Sequence, residues 1–167
     1  TELQLVVPRA SPLHRFSLSA NASKVAFVRY DEETDNFALY VSNRDGTELT
    51  RLTTHPAFDV SPALSPDGTM VVFASNRGEQ HNNYELYVIN TDGSGLAQLT
   101  NTGGFNEDPN WSPDGTKIAF ASDRAANGHL NIYVMNADGS NPSPLTYDNS
   151  ANYQPSWSPD GTQIAFV

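Results

Sequence analysis

The string Ser-Pro-Asp-Gly-Thr occurs three times, at Ser65–Thr69, Ser112–Thr116 and Ser158–Thr162, with starts 47 and 46 residues apart. A degenerate copy, Ser19–Ser23, lies 46 residues before the first. A second marker, Asp-Gly followed by Thr or Ser, begins at Asp45, Asp92 and Asp138. A third, Leu-Thr, sits at Leu52, Leu99 and Leu145. All three keep one phase, so the chain is an array of one module. A module this short cannot bury its own apolar face and must stack on its neighbours.

Between the markers lie short apolar runs. Lys24–Val28 returns as Met70–Ala74, Lys117–Ala121 and Gln163–Val167, and Leu39–Val41 returns as Leu86–Val88 and Ile132–Val134. Each is too short for a helix, rich in β-branched and aromatic residues, and bounded by Gly, Pro, Asn or Asp, which predicts strands. In Ser-Pro-Asp-Gly-Thr, proline presets the first corner of a turn, aspartate caps it and glycine takes a positive-φ position. Each module therefore reads as four strands, a to d. In the third they are expected near Asp108–Trp111, Lys117–Ser122, Leu130–Asn136 and Ser143–Leu145.

Four antiparallel strands every ~40–50 residues is the period of a β-propeller blade. Strand b is apolar on both faces, with Ile118 and Phe120 on one and Ala119 and Ala121 on the other. A sheet with one wet face would alternate instead. Small alanines on one face and large side chains on the other suit blades that interlock.

The pattern P-x-W-S-P-D-G-T-x-I-A-F-x-S-[ND]-R, read from Pro109–Arg124, and the run Ile132–Thr146 resemble the WD-like (PD40) propeller repeat of the TolB-like family. The resemblance covers nearly the whole chain. It implies an all-β propeller fold but not one activity, because the repeat serves scaffolds, the gates of prolyl-oligopeptidase-type peptidases and some polysaccharide lyases. The first copy departs from the pattern, with Phe16 in place of proline and Leu18 where two others have tryptophan.

The phase divides the chain into a lone outer strand at 1–8, centred on Leu3–Val7, blades at 9–54, 55–101 and 102–147, and a partial blade at 148–167. Propeller rings need ~4–8 blades. Three full blades plus partial ones are expected to be part of a larger ring, half of an oligomeric ring completed by another copy, or a tight four-blade ring.

Composition narrows the partners. With 19 acidic against 9 basic residues the net charge is −10, which repels phosphate backbones and argues against nucleic acid. No apolar run approaches the ~20 residues of a membrane-spanning helix, so no membrane insertion is expected. The chain has no cysteine, which removes disulfides, thiol nucleophiles and thiolate metal sites. There is no G-x-S-x-G elbow and no phosphate loop between a strand and a helix. His14, His55, His81 and His129 show no metal-ligand spacing, and of these His14 and His55 could approach a channel.

The segments entering the channel-lining strands differ between copies: Phe58-Asp59-Val60-Ser61, Phe105-Asn106-Glu107-Asp108 and Ala151-Asn152-Tyr153-Gln154. Asp59, Asn106 and Asn152 are equivalent, as are Ser61, Asp108 and Gln154. A ring of such side chains could hold calcium through oxygen ligands, or the same residues could cap strand starts. Phe58, Phe105 and Tyr153 are candidate anchors for a peptide, with core packing under the loops as the alternative. The b–c loops, including the acidic Asp31–Asn36, vary in length and are further candidates for binding.

The sequence therefore leads to a non-catalytic scaffold for a protein or peptide partner, without cofactor. The TolB-like resemblance implies a periplasmic or secreted setting. The alternative is a propeller fragment of a larger enzyme, either a prolyl-oligopeptidase-type gate or a polysaccharide lyase.

Overall fold

A computed structural model describes residues 16–18, 23–32, 34–78, 83–125, 128–147 and 149–167. The expected outer strand Leu3–Val7, the Ser19–Ser23 repeat up to residue 22, His14 and His81 lie outside the described residues.

The described residues hold strands and turns and no helix. Strands β1 (Phe16–Leu18), β2 (Lys24–Asp31), β3 (Asn36–Asn43) and β4 (Thr50–Arg51) form the first sheet, in that order. The second is β5 (Asp59–Leu64), β6 (Met70–Ser75), β7 (Glu85–Asn90) and β8 (Ala97–Gln98). The third is β9 (Asn106–Trp111), β10 (Lys117–Ser122), β11 (Asn131–Asn136) and β12 (Ser143–Pro144). β13 (Ser156–Trp157) and β14 (Ile164–Ala165) make a two-stranded sheet. Every pairing is antiparallel between sequence neighbours, so the sheets are meanders.

Three boundaries move from the expected ones, the smallest being strand c of the third sheet, which begins at Asn131 rather than Leu130. The innermost strand of the third sheet begins at Asn106 rather than Asp108, because Ser122 pairs with Asn106 beyond a bulge. The outermost strands are two residues long, although one further bond, such as Leu145 N–H to Ile132 O at 2.7 Å, prolongs the ladder. Short outer strands leave little unpaired edge.

The sheets stack like spokes. Inner strands β1, β5, β9 and β13 touch in succession, whereas β4, β8 and β12 pack chiefly on the third strand of their own sheet. Between the first two sheets, Ala26, Val28, Leu39 and Val41 meet Val71, Phe73, Tyr87 and Ile89. Between the next two, Val72, Ala74 and Leu86 meet Ile118, Phe120, Tyr133 and Met135. The small-residue face of each blade thus receives the large-residue face of the next. Ile118, Ala119, Phe120 and Ala121 are all 0% exposed, which a sheet can achieve only when both faces are covered. The architecture is a partial β-propeller of three four-stranded blades and a two-stranded fragment.

The turns repeat atom for atom. In the second blade Ser65 Oγ donates to Asp67 Oδ1 at 2.6 Å, while Thr69 N–H donates to the same oxygen at 3.0 Å. Met70 N–H closes back on Ser65 Oγ at 3.0 Å. Ser112–Lys117 and Ser158–Gln163 make the same bonds. The glycines that follow the aspartates, Gly68, Gly115 and Gly161, have φ of 74°, 72° and 70°. Proline, aspartate and glycine each supply one requirement of this turn.

Candidate functional site

In a meander of four strands, the a–b and c–d turns lie at one end of the blade. The d–a and b–c connections lie at the other. The first end is made of the six Asp-Gly turns, whose polar groups bond one another. The second end carries exposed aromatic side chains. Phe58, Phe105 and Tyr153 are 39%, 40% and 38% exposed, and Tyr147 is 77% exposed.

Phe58 and Phe105 hold equivalent places. Each packs on the aromatic residue that opens strand c of the preceding blade: Phe37 at 5.8 Å and Tyr84 at 6.4 Å between ring centres. Each has its backbone N–H held by the side chain after strand b, by Asn76 Oδ1 at 2.8 Å and by Asp123 Oδ1 at 2.7 Å. The rings are fixed at the blade junction with one side open. Burial pushes the Tyr84 phenol above its usual range, and the nearby Glu107 and Asp59 carboxylates add to this.

Asp59, Asn106 and Asn152 are buried, the first two at 0% exposure, and their oxygens do not form an open ring around the channel. Asp59 Oδ1 accepts from Arg77 at 2.7 Å. Asn106 Oδ1 accepts from Ser122 Oγ at 2.7 Å and from Arg124 at 2.9 Å. Asn152 Nδ2 donates to Ser150 O at 3.1 Å. The calcium ring considered from the sequence is not assembled by these residues. The Asp59 and Asn106 side chains are drawn into the blade junctions, where the part-buried Arg77 and Arg124 require acceptors. Among the described residues, no group of three His, Asp or Glu side chains is placed to hold a metal ion.

Ser61, Asp108 and Gln154 sit at φ of 50°, 52° and 54°, a left-handed position repeated in three successive modules. At β5 and β9 it coincides with a bulge in the ladder. It brings neighbouring blades into contact: Ser61 Oγ donates to Asp108 Oδ1 at 3.1 Å. Tyr153 is exposed, and its backbone exchanges bonds with Val167 at 2.9 and 3.0 Å.

Several residues at this face were not singled out from sequence. Arg77 and Arg124 end the motif S-[ND]-R. Arg77 lies over Phe73 and Tyr87, at 5.2 and 5.0 Å from their ring centres, and Arg124 over Phe120 and Tyr133, at 4.9 and 4.8 Å. Glu85 is buried, where the other blades have Ala38 and Asn131. Its carboxylate accepts from Thr100 Oγ1 at 2.5 Å, Thr102 N–H at 2.7 Å, Gly103 N–H at 2.8 Å and Asn106 Nδ2 at 2.9 Å. It thereby fixes the connection that carries Phe105. Burial pulls the Arg124 guanidinium below its usual range, with Glu85 and Asp123 among the opposing charges. The difference between copies at 38, 85 and 131 was the available signal.

A family model described as the TolB beta propeller domain matches residues 78–167, more than half of the chain. The chain belongs to the TolB beta-propeller family.

Solved members of the TolB beta-propeller family have the same blades. TolB from Acinetobacter baumannii superposes with a TM-score of 0.79 and 25% identity over 93% of this chain and 37% of its own. A putative TolB from Agrobacterium tumefaciens gives 0.75 and 24% over 96% of this chain and 60% of its own. The chain thus spans less than two thirds of either protein. An oligogalacturonate lyase in complex with manganese shares the fold, with a TM-score of 0.70 and 17% identity over 95% of this chain. A comparison with the curated proteins gives no match.

Proposed function

We propose that this TolB-type propeller is a non-catalytic scaffold that binds a protein or peptide through the end carrying the d–a and b–c connections. The observation that supports it is the partition of exposed groups. The exposed aromatics Phe58, Phe105, Tyr147 and Tyr153 lie on the segments of that end, while the opposite end carries turns whose polar groups satisfy one another and exposes the aliphatic Leu49 and Leu96 instead. Rigid, half-exposed aromatics are the usual anchors of protein interfaces. The net charge of −10 favours a partner with a basic surface and predicts association that slows as salt rises. An envelope or secreted setting is part of the proposal and is supported by the family likeness. Glu107 and Gln154 are assigned to the same mouth, while Ser61 and Asp108, bonded to each other, and Asp59, Asn106 and Asn152 are buried behind it.

Photo-crosslinking side chains placed at Phe105 and, separately, at Asp67 test the reading in cells that make the protein. A discrete protein adduct from position 105 and none from 67 is expected. Adducts confined to 67, or none from either, would sink it. The alternative of an enzyme propeller rests on the lyase likeness, which at 17% identity concerns the fold alone.

A further inference from the structure

The junctions between blades solve one problem in two ways. Each strand d is followed by a threonine (Thr53, Thr100 or Thr146) whose Oγ1 accepts a backbone N–H from strand c: Leu39 at 3.0 Å, Leu86 at 2.8 Å and Ile132 at 2.9 Å. At the second and third of these junctions the hydroxyl proton goes to the strand-c residue before that N–H. Thr100 donates to Glu85 Oε2 at 2.5 Å, and Thr146 to Asn131 Oδ1 at 3.2 Å. At the first junction the equivalent residue is Ala38, which offers no acceptor. The buried Thr53 hydroxyl has none among the described residues.

A second group there is also unsatisfied. Asp59 is 0% exposed and its Oδ2 is buried without a hydrogen-bond partner among the described residues. At the next junction the equivalent head atom is Asn106 Nδ2, which donates to Glu85 Oε2 at 2.9 Å. One carboxylate oxygen of Glu85 therefore joins the threonine hydroxyl to the side chain at position 106. Where Ala38 replaces the glutamate, everything beyond Cβ is gone. By equivalence with the next junction, a donor (Thr53 O–H) and an acceptor (Asp59 Oδ2) then fall on either side of the place of the missing oxygen.

We propose that a single buried water molecule occupies this place, accepting from Thr53 and donating to Asp59 Oδ2. The polarity explains the residue choice. A carboxylate can only accept, so with Glu85 present the inner-strand residue must be a donor, asparagine. Water can also donate, so an aspartate fits beside it. A buried water needs roughly two to four polar partners and ~30 Å³, and this junction lacks the carboxylate that fills the neighbouring one. A cation is disfavoured because Arg77, 2.7 Å from Oδ1, already neutralises Asp59. Pro56 agrees with the arrangement: it stands where Gly103 donates an N–H to Glu85, and proline has none to give.

A crystal structure of the whole chain at a resolution that shows ordered solvent tests this directly. One water within hydrogen-bonding reach of both Asp59 Oδ2 and Thr53 Oγ1 is expected. A metal ion there, a direct Thr53–Asp59 bond, or a donor supplied by residues 1–15 or 19–22 would overturn the proposal. Variants give a second reading. Ala38→Glu alone sets two carboxylates against one arginine and should lower Tm by roughly 5 °C. Adding Asp59→Asn rebuilds the neighbouring arrangement, should recover more than half of that loss and should expel the water. A double variant no more stable than Ala38→Glu alone, or one that retains the water, would refute it.

Discussion

Arg77 donates to Asp59 Oδ1 at 2.7 Å, with side-chain exposures of 10% and 0%, and its guanidinium lies over Phe73 and Tyr87. The contact ties the end of strand b to the start of strand a behind Phe58. Removing one partner of a buried pair leaves an uncompensated charge and costs about 3–5 kcal/mol. Arg77→Met is expected to lose that much stability in denaturant unfolding. Arg77→Lys should recover only part, because an ammonium lacks the planar fork and the stacking. The more exposed pair Arg51–Asp31, at 28% and 12%, should matter less, about 1 kcal/mol for Arg51→Met. Equal losses at the two sites would contradict the burial argument.

Acid should weaken the blades through their turns. Asp45, Asp67, Asp92, Asp114, Asp138 and Asp160 each accept a Ser or Thr hydroxyl and a backbone N–H, which hold their carboxyls below the usual range. For Asp160 the value falls from 3.8 to about 2. A carboxyl depressed in the folded state contributes stability above its unfolded pKa and loses it as pH falls through the folded one. Tm is therefore expected to fall between about pH 4 and pH 2. The triple variant Asp67→Asn, Asp114→Asn, Asp160→Asn should fall less steeply across that window. An unchanged profile would show that the turns do not couple to protonation.

Glu48, Gly95 and Asn141 are equivalent and have φ of 53°, 70° and 53°. A left-handed backbone costs a glutamate roughly 1–2 kcal/mol more than it costs glycine. After glycine's greater loss of backbone entropy, Glu48→Gly should still stabilise the protein, by about 0.5–1 kcal/mol. A fall in Tm for this variant would contradict the strain argument.

Phe120 and Phe166 occupy the same repeat position, at 0% and 47% exposure. Phe120→Ala should cost about 3–5 kcal/mol through the cavity it leaves between blades. Phe166→Ala should cost about 0.5 kcal/mol or less. Similar losses at both positions would mean that blade-to-blade packing does not carry the core.

Much of the architecture was legible because it is periodic. The Ser-Pro-Asp-Gly-Thr turns formed as read, since each residue acts within its own turn. The double-faced burial of Ile118–Ala121 followed from its composition, because alanine and phenylalanine on opposite faces have no use in a half-wet sheet. The candidate mouth was less legible. Phe58 and Phe105 appear as exposed rings in the structure. Asp59 and Asn106, read as equally available, are turned inward by Arg77 and Arg124. Nothing in the seven-residue stretch around either residue could reveal this, because the arginines lie 18 positions further along.

The sequence by itself determined the module: its length, its four strands, its turn chemistry and the need for neighbours on both sides. These follow from interactions between residues close in the chain and from a pattern repeated often enough to fix the phase. Only the tertiary structure decided which polar groups face solvent and which face a neighbouring blade. That depends on contacts one whole repeat apart, such as Ser61 with Asp108 at 3.1 Å. Stacking sets those contacts, and a single carboxylate moved from strand c to strand a changes what they hold.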